Sequence, residues 1–136
     1  LPRTVGLQAA LDMILTGRNI RAKKAWQMGL VHELVHPAIL RDVAMRRVRE
    51  LARGETPPVR VRTPPASTRL LEDNPLGRSL VFRKARASVL EKTRGHYPAP
   101  LAAIDVIQLG FADGNTAGLR EAARRFGALT VSRECR

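Results

Sequence analysis

Leu7, Leu11, Ile14 and Leu15 recur at the spacing of one helical face, which predicts an amphipathic helix over residues 5–16. Gly17 follows at once and can take the left-handed conformation that closes a helix. A shorter helix is predicted over 21–28, where Ala22 and Ala25 form a small face suited to close packing, with Gly29 as its stop. Leu30, Val31, Leu34 and Val35 then form a short apolar segment rich in strand-forming residues and ended by Pro37. A third helix is expected over 38–53, with Leu40, Ala44, Val48 and Leu51 inward and Arg41, Arg46, Arg47 and Arg49 in solvent. Gly54 ends it.

The stretch ETPPVRVRTPPAST has four prolines and no apolar period, so residues 55–68 read as an extended connector. Asn74-Pro75 has the form of a helix start, with Asn74 as N-cap and proline at the first helical position. That helix is predicted to reach about residue 94, with Leu76, Leu80, Ala87 and Leu90 on its apolar face. Gly95 and the HYPAP corner break it. Two more helices are expected, over 100–109 and 116–132, the last capped by Asn115. The fold class is therefore mostly α, with at most one or two short strands.

Composition narrows the function. The chain has 136 residues, room for one modest core, and no apolar run near the roughly 20 residues that span a bilayer. Cys135 is the single cysteine, which suits a reducing compartment. The first residue is Leu rather than Met and the last five are SRECR, so both ends read as cuts through a longer protein. A net charge of +12 admits polyanion partners, and a small basic helical nucleic-acid-binding protein is the alternative function. Against specific nucleic-acid binding, the basic residues are spread along the chain, and stacking aromatics are scarce.

One motif tempts a different assignment. His32-Glu33-Leu34-Val35-His36 has the spacing of a zinc-peptidase signature, which needs both histidines on one helical face. His36 precedes Pro37, and a residue before proline is driven out of the helical region. On extended backbone, positions four apart lie roughly 13 Å from each other, too far to share a metal. The match is read as accidental, with the two histidines in an exposed loop and no metal site.

Taken whole, the first 35 residues resemble another signature. Leu1-Pro2-Arg3, Val5-Gly6, Ala10, Leu15-Thr16-Gly17-Arg18, Ala22, Ala25 and Gly29-Leu30-Val31 are similar to the crotonase (enoyl-CoA hydratase/isomerase) superfamily. His96-Tyr97-Pro98-Ala99-Pro100, then Ala117-Gly118-Leu119, Phe126-Gly127 and Leu129, resemble its multifunctional branch, the α-subunits of fatty-acid β-oxidation complexes. The sequence departs from that branch at Ala122, where a glutamate is usual, with Glu121 one step earlier, and at Ser132, where a threonine is usual.

The resemblance implies the helical C-terminal part of a crotonase-fold α/β domain over 1–53. It further implies a connector and inserted helix over 54–97, then helices over 98–136 leading to a 3-hydroxyacyl-CoA dehydrogenase domain. It also implies an acyl-CoA thioester substrate, NAD at that downstream domain, a thiolase subunit as partner, and a cytoplasmic location. The family's two glutamates and its oxyanion-stabilising N–H groups would lie upstream of Leu1. No catalytic residue or cofactor site is therefore assigned to this chain, and Glu33, Glu50, Glu55, Asp73 and Glu91 are expected in solvated settings. The residues assigned to an acyl pocket are Leu119, Phe126 and Leu129, on one face of the last helix.

Overall fold

The structure, a computed structural model, describes residues 1–55, 68 and 71–132. Its described elements are helices and one 3-10 turn, with no strand among the described residues. They group into two compact units. The first holds residues 3–5 and 19–55, the second 6–18 and 71–132.

In the first unit a single turn, α1 (Pro2–Val5), brings Val5 to full burial. α3 (Ala22–Gln27) buries Ala25 and ends in a turn where Gly29, at φ 74°, lets Leu30 N–H donate back to Ala25 O at 2.9 Å. A 3-10 turn, Pro37–Ile39, leads directly into α4 (Leu40–Ala52). Leu30–Val35 forms no strand, because a strand needs a ladder partner and none is present among the described residues. The segment is held by charge instead: Arg47 donates to Glu33 at 2.8 Å and to Glu50 at 2.6 Å. Both carboxylates raise the affinity of Arg47 for its proton, Glu33 first.

The apolar face expected inward on α4 is a correction. Leu40, Val48 and Leu51 are 57–59% exposed, and the arginine expected outward, Arg47, is the more sheltered. The periodicity is present, but no described element of this unit lies against it.

Among its described residues the second unit has four long helices, and residues 68, 71 and 72 are helical as well. α2 (Leu7–Thr16) starts two residues later than its periodicity suggests, because Gly6 at φ 90° breaks the backbone before Leu7. Gly6 has no side chain to cap with, and Glu72 Oε1 accepts from Gln8 N–H at 3.1 Å in its place. Gly17 closes α2 in the left-handed region at φ 61°, as expected. α5 (Pro75–Thr93) begins as the sequence indicates: Asn74 Oδ1 accepts from Gly77 N–H at 2.6 Å. α6 (Pro98–Ala112) and α7 (Asn115–Thr130) form an antiparallel hairpin around Gly114, which at φ 91° takes the N-cap place expected for Asn115.

Leu7 and Leu11 of α2, Phe82 and Val89 of α5, and Ile104 of α6 make the core. Each such side chain is worth roughly 1.5–3 kcal/mol on burial. Phe82 meets Phe111 edge to face, with centroids 6.4 Å apart, and the Arg78 guanidinium lies 5.5 Å from the Phe111 centroid. The buried stripe of α5 is thus Phe82, Ala85 and Val89, and not the expected Leu76, Leu80, Ala87 and Leu90. Leu76 is 85% exposed. The helix carries apolar residues on more than one side, so contact with α2 and α6 decides which side turns in. The connector expected over 55–68 lies, except for Glu55 and Thr68, outside the described residues.

A candidate acyl groove between three helices

The α6–α7 hairpin sets up the site. Gly118 is buried, and a Cβ placed on it would stand 3.0 Å from the Gly110 Cα. Two glycines facing each other let the two helices approach closely near the hairpin turn. Further from the turn, the two helices and α2 line an open groove of about 340 Å³.

Ala99, Ala102, Ala103, Val106 and Ile107 of α6 line one side, together with Ile14 of α2. Ala122, Arg125, Phe126 and Leu129 of α7 make the facing wall. Almost no polar surface faces the groove, although an arginine lines it. The small alanines leave width, and the branched residues leave the surface apolar. Such a shape takes a hydrocarbon and offers nothing to a polar group. A second depression of about 320 Å³, between α2 and α5, has Asp12, Thr16, Ser88, Lys92 and Thr93 on its lining, which suits a hydrocarbon less.

Of the residues assigned from the sequence, Phe126 and Leu129 stand together in the groove wall. Leu119 is one of the exposed residues of α7, at 72%, and is not among those lining the groove. Phe126 is 70% exposed. It is therefore an open surface of the groove and not part of the core.

The charge around the groove was only partly visible in the sequence. Arg125 Nε donates to Glu121 Oε1 at 2.7 Å, and its Nη1 donates to Asp105 Oδ2 at 2.6 Å. Asp105 also accepts from Arg86 of α5 at 2.5 Å, and Arg86 donates to Gln108 at 2.9 Å. Arg124 adds a bidentate pair to Glu121, at 2.8 and 2.6 Å. The strap joins α5, α6 and α7.

The hydrogen bonds from Arg124 and then Arg125 hold the Glu121 carboxyl down at about 2. Burial pushes Asp105 upward, but the bonds from Arg125 and Arg86 outweigh it and leave its carboxyl below the usual range. The spacing of Glu121 and Arg125, four apart on a helix, was a readable signal. The reach of Arg125 to Asp105 was not, because it joins two helices.

No acid expected in a solvated setting lines the groove. Glu33 and Glu50 bind Arg47, Glu55 binds Arg53 at 2.9 Å, and Asp73 and Glu91 are exposed. His32 and His36 are both exposed on loop backbone. His36 has an extended ψ of 139°, and its ring nitrogen accepts from Ala38 N–H at 3.3 Å. Among the described residues no group of three or more His, Cys, Asp or Glu is placed to hold a metal ion, and no helix is long and apolar enough to cross a membrane.

Comparison with known proteins agrees with the resemblance in the sequence. The enoyl-CoA hydratase/isomerase family matches residues 1–75, more than half of the chain. The fatty acid oxidation complex subunit alpha of Vibrio cholerae serotype O1 is 44% identical over 134 residues. The subunit of the same name from Shewanella amazonensis is 42% identical over 134 residues. Each alignment covers 98% of this chain, and the chain spans 18% of the length of each relative. The chain belongs to the enoyl-CoA hydratase/isomerase family.

Proposed function

We propose that this chain supplies the acyl-chain wall of an enoyl-CoA hydratase that works within a fatty-acid oxidation enzyme also bearing a 3-hydroxyacyl-CoA dehydrogenase. The identity of 44% over 98% of the chain with a relative named for fatty acid oxidation carries the reading. The apolar groove along α7 supports it, since an oxidised acyl chain is a hydrocarbon that needs such a surface.

Hydration of an enoyl thioester needs a carboxylate to activate water, an acid to protonate the α-carbon, and N–H donors for the thioester oxygen. The groove carries none of these groups. In this reading they come from the rest of a longer protein, to which residues 1–53 contribute the end of the hydratase domain. Residues 54–97 act as connector and inserted helix, and 98–136 complete the hydratase and lead toward an NAD-binding dehydrogenase. A thiolase subunit as partner and a cytoplasmic setting follow from the same reading.

Two measurements test it. The 136 residues alone should not hydrate crotonyl-CoA, whereas the full-length protein should; turnover by the short chain above a heat-killed control refutes the division of roles. In the full-length protein, Phe126→Ala should lower kcat/KM roughly tenfold for long enoyl-CoA substrates and little for crotonyl-CoA. Equal losses at every chain length would remove α7 from the acyl pocket.

A further inference from the structure

Arg125 lines an apolar groove yet shows it almost no polar surface. What it presents is its methylene stem. Its guanidinium is turned aside and held at 2.6 Å by Asp105 and at 2.7 Å by Glu121. Asp105 in turn is held at 2.5 Å by Arg86, on a third helix. We propose that Asp105 is a positioning residue for tail selectivity: by anchoring Arg125 outside the groove, it keeps the site selective for an uncharged hydrocarbon end over a carboxylate-ended chain.

The proposal rests on the reading that an acyl chain occupies this groove. The physical reason is the long, flexible arginine stem. Released from Asp105, the guanidinium can rotate toward the groove, where a carboxylate at the end of an acyl chain would meet a planar, bidentate partner. An apolar chain end gains nothing from that cation and loses the stem as packing surface. Glu121 restrains the rotation less, since it holds only Nε of Arg125 and shares that oxygen with Arg124.

The test compares two saturated acyl-CoA probes of one chain length, one methyl-ended and one ending in a carboxylate, binding to the full-length protein. Wild type should prefer the methyl-ended probe. Asp105→Asn should shift the ratio of affinities toward the carboxylate-ended probe by about tenfold. Arg125→Met keeps a flexible stem without the charge and should show no gain for the carboxylate-ended probe over wild type. The double variant should show no shift, because the cation is gone. An unchanged ratio in Asp105→Asn, or a shift that persists without Arg125, overturns the proposal. If Asp105→Asn proves unfolded, Asp105→Ser removes the same charge with a smaller side chain and should give a shift of the same sign; none would overturn the proposal as well.

Failure of the acyl reading itself looks different. In that case Phe126→Ala leaves the affinity of the methyl-ended probe untouched. Sedimentation of the same protein covers the remaining occupant: self-association that competes with the probe would assign the groove to a second copy and refute the proposal.

Discussion

Ile104 and Phe126 show how little residue type alone says about role. Both are large and apolar, and both lie on helical stripes, yet Ile104 is fully buried and Phe126 is 70% exposed. Ile104 packs among Leu7, Leu11, Phe82 and Val89 of two neighbouring helices, so truncation leaves a void in the core. Ile104→Ala should cost about 2–5 kcal/mol. Phe126→Ala removes an exposed ring and introduces a better helix former, so its effect should stay within about 0.5 kcal/mol. Urea unfolding of the two variants checks both values. A loss for Phe126→Ala as large as that for Ile104→Ala would make Phe126 core.

At the scale of elements, helix boundaries were legible where a side chain or glycine sets them by itself. Asn74 caps its own helix, and Gly17 and Gly29 each adopt the positive φ that ends one. Faces were less legible. The stripe on α4 exists but has no partner among the described residues of its unit, and that on α5 was assigned to Leu76 and Leu90, which are exposed, and Leu80, which is half-buried. The groove was half legible, since Phe126 and Leu129 can be placed from their spacing, but the alanines lining its other side belong to another helix. The strap from Arg86 to Glu121 depends on helices meeting, which no single-helix period encodes.

The α6–α7 hairpin offers a sharper test of the same lesson, because two glycines of α7 have opposite surroundings. A Cβ at Gly118 would meet the Gly110 backbone at 3.0 Å, whereas one at Gly127 meets nothing within 4 Å. Alanine is favoured over glycine inside a helix by about 1 kcal/mol. Gly127→Ala should therefore raise stability by up to about 1 kcal/mol. Gly118→Ala should lower it by about 1–2 kcal/mol, since the crowding against backbone exceeds that gain. Thermal melts of the pair decide it, and stabilisation by both would show the hairpin to be looser than described.

For the whole molecule the dominant quantity is charge, +12 at neutral pH, with 24 lysines and arginines against 12 carboxylates. Neutralising the carboxylates leaves the basic residues unopposed, and self-repulsion then favours the open chain. Glu121 fixes where part of that loss occurs. Its carboxyl titrates at about 2 when folded, against 4.5 for an unperturbed glutamate. Below about pH 4.5 the unfolded chain binds a proton that the folded chain refuses, so stability must fall as pH falls. The contribution is complete above that pH and gone below about 2. Asp105, also lowered, acts in the same direction. Melting temperature should thus drop steeply between pH 5 and pH 2.5. The drop should be shallower in Glu121→Gln, which has no proton to take up. Added salt should soften the general repulsion in both proteins while leaving a difference between them, because the Arg124 and Arg125 contacts are direct hydrogen bonds. Parallel acid profiles for wild type and Glu121→Gln would mean that the pairs of Glu121 with Arg124 and Arg125 contribute nothing specific to stability.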